Sequence, residues 1–202
     1  MKRRVSASNK NRWADHYTQK AKKEDYPARS IYKLQEIQQK TQLIRRGNRV
    51  LDLGCSPGSW LIYAARLIGE SGQAVGIDLR PITTKLPRNA SAHVGDLMNL
   101  SEELHNILGD GYDVVLSDMA PDTTGNKALD AIRSAGLAEA ALSIACERLV
   151  RGGMFVCKIF QGSDFGPFVE KVRVEFDNVK IFKPKSSRKA SKEIFVIGLR
   201  KT

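Results

Sequence analysis

Residues 49–60 read RVLDLGCSPGSW. Val50, Leu51 and Leu53 form a short apolar run, Gly54 and Gly58 bracket a turn, and the chain continues as the helix-like segment SWLIYAARLIG. A strand, a glycine-bearing loop and a helix in direct succession form the opening unit of an open α/β sheet. The same alternation recurs downstream. AVGIDLR reads as a second strand ending in Asp78, AHVGDL as a short third ending at Asp96, and YDVVLSDMAP as a fourth ending at Asp118. Helical segments are expected around Glu102 to Leu108, Leu129 to Val150 and Pro167 to Val174, with GGMFVCKIF as a fifth strand between the last two. NVKIFKP and EIFVIGLR have no helix between them, so they should close the sheet as an antiparallel edge hairpin. The expected fold is α/β, a mostly parallel seven-stranded sheet with helices on both faces.

Upstream, Ile31, Leu34 and Ile37 fall on a helical stripe behind Ser30, a possible N-cap, and Lys33 lies beside that stripe. Residues 1–27 are polar, basic and aperiodic and read as a flexible arm, leaving 28–202 as a single domain. Hydrophobic residues make up 42% and mean hydropathy is -0.33, ordinary for a water-soluble domain. No run approaches the roughly 18 apolar residues of a membrane helix, and MKRRVSASNKNRW lacks the apolar core of a secretory signal. A cytoplasmic protein, with no membrane partner, is expected. Three scattered cysteines and three histidines without ligand spacing predict neither a disulfide framework nor a structural metal.

The net charge of +11 is unevenly distributed. Residues 1–33 carry a net +7 and the segment Lys183–Lys192 (KPKSSRKASK) a net +5, which leaves the rest at -1. Two basic segments on a neutral body are an electrostatic footprint for a polyanion, here nucleic acid.

In open α/β sheets ligands bind beyond the carboxyl ends of the strands, where Asp78, Asp96 and Asp118 stand. Gly58 and Asp78 have the spacing of a loop glycine and a ribose-accepting carboxylate. GCSPG is not the dinucleotide fingerprint, and Pro57 removes an amide that a pyrophosphate would use. A nucleoside without phosphates fits better, and S-adenosylmethionine is the cofactor expected. Asp96 is then placed for an adenine amino group. Asp52, inside its strand, could receive a ligand amine or hold the loop, and the loop role is favoured. Lys158 interrupts the apolar run of GGMFVCKIFQG, where a lysine is seldom buried without a partner. Taken alone, it reads as a strand end with its amine reaching water.

LDLGCSPGSW, GIDL, GDL, LSDMAP, CKIFQG and SKEIF occur in the order seen in the RrmJ/FtsJ (RlmE) family, and from about Tyr26 to Arg200 the chain resembles that family. The resemblance implies a Rossmann-like class I S-adenosylmethionine-dependent methyltransferase. Its implied reaction is methylation of the ribose 2′-hydroxyl of a uridine in 23S (large-subunit) ribosomal RNA, at a late stage of ribosome assembly. It implies cofactor contacts from Gly58, Trp60, Asp78, Asp96 and Asp118, and a catalytic tetrad of Lys33, Asp118, Lys158 and Glu193. Lys158 would be the base, helped by burial and by Lys33 as a neighbouring cation. A monomer is expected, gripping ribosomal RNA or the large subunit through the arm and the Lys183–Lys192 loop. Related activity on transfer RNA or an mRNA cap, and an inactive RNA-binding assembly factor, stay open. A nicotinamide oxidoreductase is disfavoured by the missing fingerprint.

Overall fold

The computed structural model describes residues 10–188 and 190–202, with side chains from residue 16 onward. The elements run α1 (Lys10–Lys23), α2 (Ile31–Thr41), β1 (Arg49–Leu53), α3 (Ser59–Ile68), β2 (Gln73–Asp78), β3 (Ala90–Val94) and α4 (Glu102–Leu108). They continue as β4 (Tyr112–Ser117), α5 (Lys127–Arg148), β5 (Leu149–Phe160), α6 (Phe165–Glu175), β6 (Phe176–Phe182) and β7 (Glu193–Lys201). One seven-stranded sheet has the order β3-β2-β1-β4-β5-β7-β6. The first five strands pair in parallel, and β7 lies antiparallel between β5 and β6. The expected α/β sheet and closing hairpin are therefore present, with the last strand inside the sheet and its predecessor at the edge.

Successive strand side chains point to opposite faces, and this alternation assigns the core to two layers. Leu51, Leu53, Val75, Ile77, Val115, Phe155, Cys157 and Ile159 pack with α5 and α6 residues such as Ala138, Leu142 and Val172. Val50, Ala74, Val114, Leu116, Val156, Phe195 and Ile197 pack with Leu34 and Ile37 of α2 and Trp60, Leu61 and Ala64 of α3. By the same alternation Lys158, two residues beyond Val156, faces the α2 side. Glu193, two residues before Phe195, does so too. Lys158 is paired directly with Phe195 and Phe160 with Glu193, so two strand ends present charged groups beside α2.

The flexible-arm expectation for 1–27 needs correction over part of its length; residues 1–9 lie outside the described residues. Lys10–Lys23 is helical. Ala21 is buried with Tyr26, Ile31, Tyr32 and Ile62, and Tyr17 packs against them. Tyr17 lies 5.1 Å from Tyr32 between ring centroids, and the Lys20 ammonium sits 4.7 Å over the Tyr32 ring. Among the described side chains of this helix, Tyr17 and Ala21 make the contact, at i and i+4. Ser30 also departs from expectation. Its side chain makes no cap, and its carbonyl instead accepts from Trp60 Nε1 at 2.8 Å.

Candidate active site

β1 delivers the chain to a turn whose shape requires glycine at both ends. Gly54 has φ +77° and Gly58 φ +110°, a region that other residues rarely adopt. A Cβ at Gly54 would lie within 2.4 Å of the Met119 side chain, the residue after Asp118. The loop after β1 and the end of β4 thus close on each other only because Gly54 has no side chain. The Gly54 and Cys55 amides donate to the Ile77 carbonyl of β2, and Ser56 N–H donates to Asp78 Oδ2 at 3.0 Å. A Gly54→Ala protein should lose about 1–3 kcal/mol of stability, through strained backbone and the Met119 contact. Urea denaturation reads this, and an unchanged midpoint would contradict it.

Four ionisable side chains meet at the carboxyl end of β4. Asp118 Oδ1 lies 3.0 Å from Lys158 Nζ and 3.4 Å from Lys33 Nζ, and Glu193 Oε2 lies 2.9 Å from Lys33 Nζ. Lys158 Nζ also donates a short hydrogen bond to the Asp118 carbonyl. Lys158 is only 5% exposed, so the group reading as a strand end with its amine in water is in fact buried and paired. Burial alone would lower the Lys33 value, but Asp118 and Glu193 outweigh it and hold the ammonium above its ordinary range. Burial would likewise raise Asp118, yet Lys158 and Lys33 hold its carboxyl below the ordinary carboxylate range. The sequence reading sets Lys33 beside Lys158 as a neighbouring cation. In the structure the Nζ atoms of both lysines rest on one oxygen of Asp118, so the carboxylate stands between them.

The remaining predicted residues spread along the neighbouring strand ends. Asp78 closes β2 with Oδ2 on Ser56 N–H and Oδ1 on Arg80 N–H at 2.8 Å. Asp96 stands exposed beyond β3, its Oδ1 accepting from Met98 N–H. Gly58 precedes the first turn of α3. Trp60 is turned into the core, with its ring 5.8 Å from that of Phe195, leaving main chain at the helix start to face a ligand. Asp78 and Asp96 make no direct contact with the lysine–carboxylate cluster.

Asp52 behaves differently from the sequence reading. It is 1% exposed, and neither carboxylate oxygen has a hydrogen-bond partner, so it does not hold the loop. Burial, reinforced by Asp118 and Asp78, pushes its carboxyl well above the ordinary range. It lines a cavity of about 40 Å³ with Ser30, Gly54, Cys55, Ser56, Pro57, Ser59, Trp60 and Asp118. That volume suits an ammonium-sized group. An orphaned carboxyl facing such a cavity fits the amino group of S-adenosylmethionine, and the open strand ends bearing Asp78 and Asp96 fit its nucleoside. Among the described residues, no group of three or more His, Cys, Asp or Glu could hold a metal ion. No described helix is long and apolar enough to cross a membrane.

Two side chains at the site escaped the sequence reading. Glu36 Oε2 and Oε1 accept from the amides of Lys185 and Ser186 at 2.7 and 2.8 Å, and Arg29 Nη2 donates to the Ser186 carbonyl at 2.7 Å. For Glu36 the spacing was the available signal, since Lys33 and Glu36 are three residues apart on one face of α2; Arg29 lies in the turn before that helix and gave none.

Residues 26–201 match the model of a family described as FtsJ-like methyltransferase. The chain is 60% identical over 192 residues to the ribosomal RNA large subunit methyltransferase E of Desulforapulum autotrophicum, covering 95% of each chain. It is 47% identical over 190 residues to the same-named protein of Bdellovibrio bacteriovorus, covering 93% of this chain and 96% of the relative. Among solved structures it resembles a Plasmodium falciparum protein described as a ribosomal RNA methyltransferase. There the TM-score is 0.73 at 25% identity, over 87% of this chain and 98% of that one. An Aeropyrum pernix fibrillarin solved with bound S-adenosyl-L-methionine shares the fold at TM-score 0.57 and 17% identity, over 78% of this chain and 68% of that one.

Proposed function

Because the chain belongs to the FtsJ-like methyltransferase family, we propose that it transfers a methyl group from S-adenosylmethionine to the ribose 2′-hydroxyl of a uridine in 23S (large-subunit) ribosomal RNA. The observation that supports this most is the buried cluster of Lys158, Asp118, Lys33 and Glu193 beside the glycine-bracketed loop. A hydroxyl nucleophile must lose a proton as it attacks, and two lysines on shared carboxylates suit that task. Residues 28–202 serve as the methyltransferase unit, with the basic segments as its grip on RNA.

When bound, S-adenosylmethionine supplies an electrophilic methyl group on a sulfonium. Asp52 would hold its amine, the first turn of α3 after Gly58 and the main chain of Trp60 would receive its middle portion, Asp78 the ribose and Asp96 the adenine. Lys33 is tied to two carboxylates, remains charged, and orients Asp118 and Glu193. Lys158 has only the carboxylate it shares with Lys33, and as the neutral amine its Nζ takes the 2′-hydroxyl proton and becomes the ammonium, paired with Asp118. Positioning accounts for roughly 7–11 kcal/mol of such a barrier and a base for about 10²–10⁴-fold. Mapping 2′-O-methylation in large-subunit RNA from cells with and without the gene tests the proposal. One uridine should lose its methyl group without the gene, and identical maps would refute the assignment.

Asp52 carries a pH-dependent prediction. Its raised value means that the free protein holds it as the neutral acid up to that value, whereas an ammonium ligand favours the carboxylate. Binding should therefore release a proton, and affinity should rise with pH until free Asp52 ionises. Calorimetry in buffers of different ionisation enthalpy should detect that proton in the wild type and not in Asp52→Asn, whose affinity should fall about tenfold or more. Asp52→Asn should also melt higher, by a margin that widens as pH rises above about 3.9, because the native state then bears the cost of a buried acid. Equal affinity and no proton release would remove Asp52 from the pocket.

A further inference from the structure

The loop between β6 and β7 holds five of the chain's basic residues and no acid. Such a segment repels itself and tends to extend away from the domain. Here it is held. Its turn, closed by Ser187 N–H on the Pro184 carbonyl, offers the Lys185 and Ser186 amides to the two oxygens of Glu36 and the Ser186 carbonyl to Arg29. Arg29 lies 5.4 Å over the Tyr17 ring, so α1 is joined to the same assembly. Ser186 and Ser187 are buried, while Lys183, Lys185, Arg188 and Lys192 remain exposed. The loop then enters β7 at its first residue, Glu193, which contacts Lys33. One helix face therefore carries a member of the reactive cluster and, three residues on, the group that fixes the basic loop.

We propose that Glu36 is a positioning residue for the RNA substrate, clamping the basic loop against α2 so that its cations stand at the mouth of the Lys33–Asp118–Lys158–Glu193 cluster. The proposal rests on the reading of the protein as an RNA methyltransferase. A carboxylate on an RNA-facing surface would otherwise oppose phosphate binding. Glu36 avoids much of that cost because both its oxygens are engaged by backbone amides, and the return is a loop ordered before RNA arrives.

The two views of Glu36 predict opposite signs. If Glu36 were only a surface charge, Glu36→Gln would tighten RNA binding by removing repulsion. As a clamp, Glu36→Gln loses one of two acceptors and Glu36→Ala loses both, so KM for ribosomal RNA should rise, about tenfold for Ala and less for Gln. The turnover rate at saturating RNA and the affinity for S-adenosylmethionine should change little. Amide hydrogen exchange in the RNA-free protein reads the clamp directly, and the Lys185 and Ser186 amides should exchange about tenfold faster or more in Glu36→Ala. A wild-type enzyme that methylates ribosomal RNA beside a Glu36→Gln enzyme with unchanged or lower KM and unchanged exchange would overturn the proposal alone. A wild-type protein with no activity on ribosomal RNA would overturn the proposal together with the reading beneath it.

Discussion

Replacing Lys158 with Met should abolish methyl transfer while the protein melts close to the wild-type temperature. Lys158 is 5% exposed, and its Nζ contacts the carboxylate and the carbonyl of Asp118. Its aliphatic stem lies in an apolar layer with Val156 and Phe195, which Met can fill at a cost usually under about 1.5 kcal/mol. Asp118 keeps Lys33 as a partner at 3.4 Å, so no carboxylate is left unpaired. The loss in rate should be at least about 10²–10⁴-fold, the contribution of a positioned base, and larger if the amine also orients the ribose. Lys158→Arg should fail too, because guanidinium does not release its proton near neutral pH. Single-turnover assays at saturating RNA and cofactor separate chemistry from binding. A Lys158→Met protein with normal melting and near-wild-type transfer would make Lys158 structural.

Asp118→Asn should be the most destabilising change within the cluster, by about 3–5 kcal/mol, because it strips a shared carboxylate from two nearly buried lysines. Lys33 would retain Glu193, whereas Lys158 would face an amide. The pH dependence follows from the two shifts. Asp118 is lowered in the folded state, so its stabilisation is complete above the ordinary carboxylate value of about 3.9 and is lost as pH falls through its folded value. Lys33 is raised, so its stabilisation is complete below about 10.4 and is lost as pH rises through its folded value. The difference between wild type and Asp118→Asn should thus be greatest between those limits and shrink on the acid side. Urea denaturation across that range checks it, and a pH-independent difference would assign the loss to packing alone.

The strand–loop–helix at Arg49–Trp60 and the regular alternation that follows were enough to read the sheet, because buried parallel strands leave uninterrupted apolar runs. The order of the last two strands was not readable. A hairpin signal fixes antiparallel pairing but says nothing about which strand meets β5. The four members of the lysine–carboxylate cluster were legible only together, through motif order, since Lys33 alone looks like a solvated helix face and Glu193 like a strand edge. What pairs with what was not legible. Asp118 takes both lysines because strand parity turns Lys158 toward α2, and that parity acquires meaning only once the sheet's two layers are known. Asp52 and Glu36 were misread or missed for a common reason. The role of each depends on the amides of the loop it faces: the loop after β1 donates none to Asp52, the β6–β7 loop donates two to Glu36, and sequence spacing does not report where a distant loop's amides point.

The proposed product is a ribose 2′-O-methyl group made by the Lys158 cluster. A 2′-O-methyl blocks alkaline cleavage of the following phosphodiester, whereas a methyl on a base does not. Purified protein should be incubated with large-subunit ribosomal RNA and methyl-labelled S-adenosylmethionine, and the RNA hydrolysed in alkali. Label is expected in an alkali-resistant dinucleotide whose first nucleoside is uridine, and none with Lys158→Met. Label recovered in mononucleotides, or equal labelling by the two proteins, would contradict it.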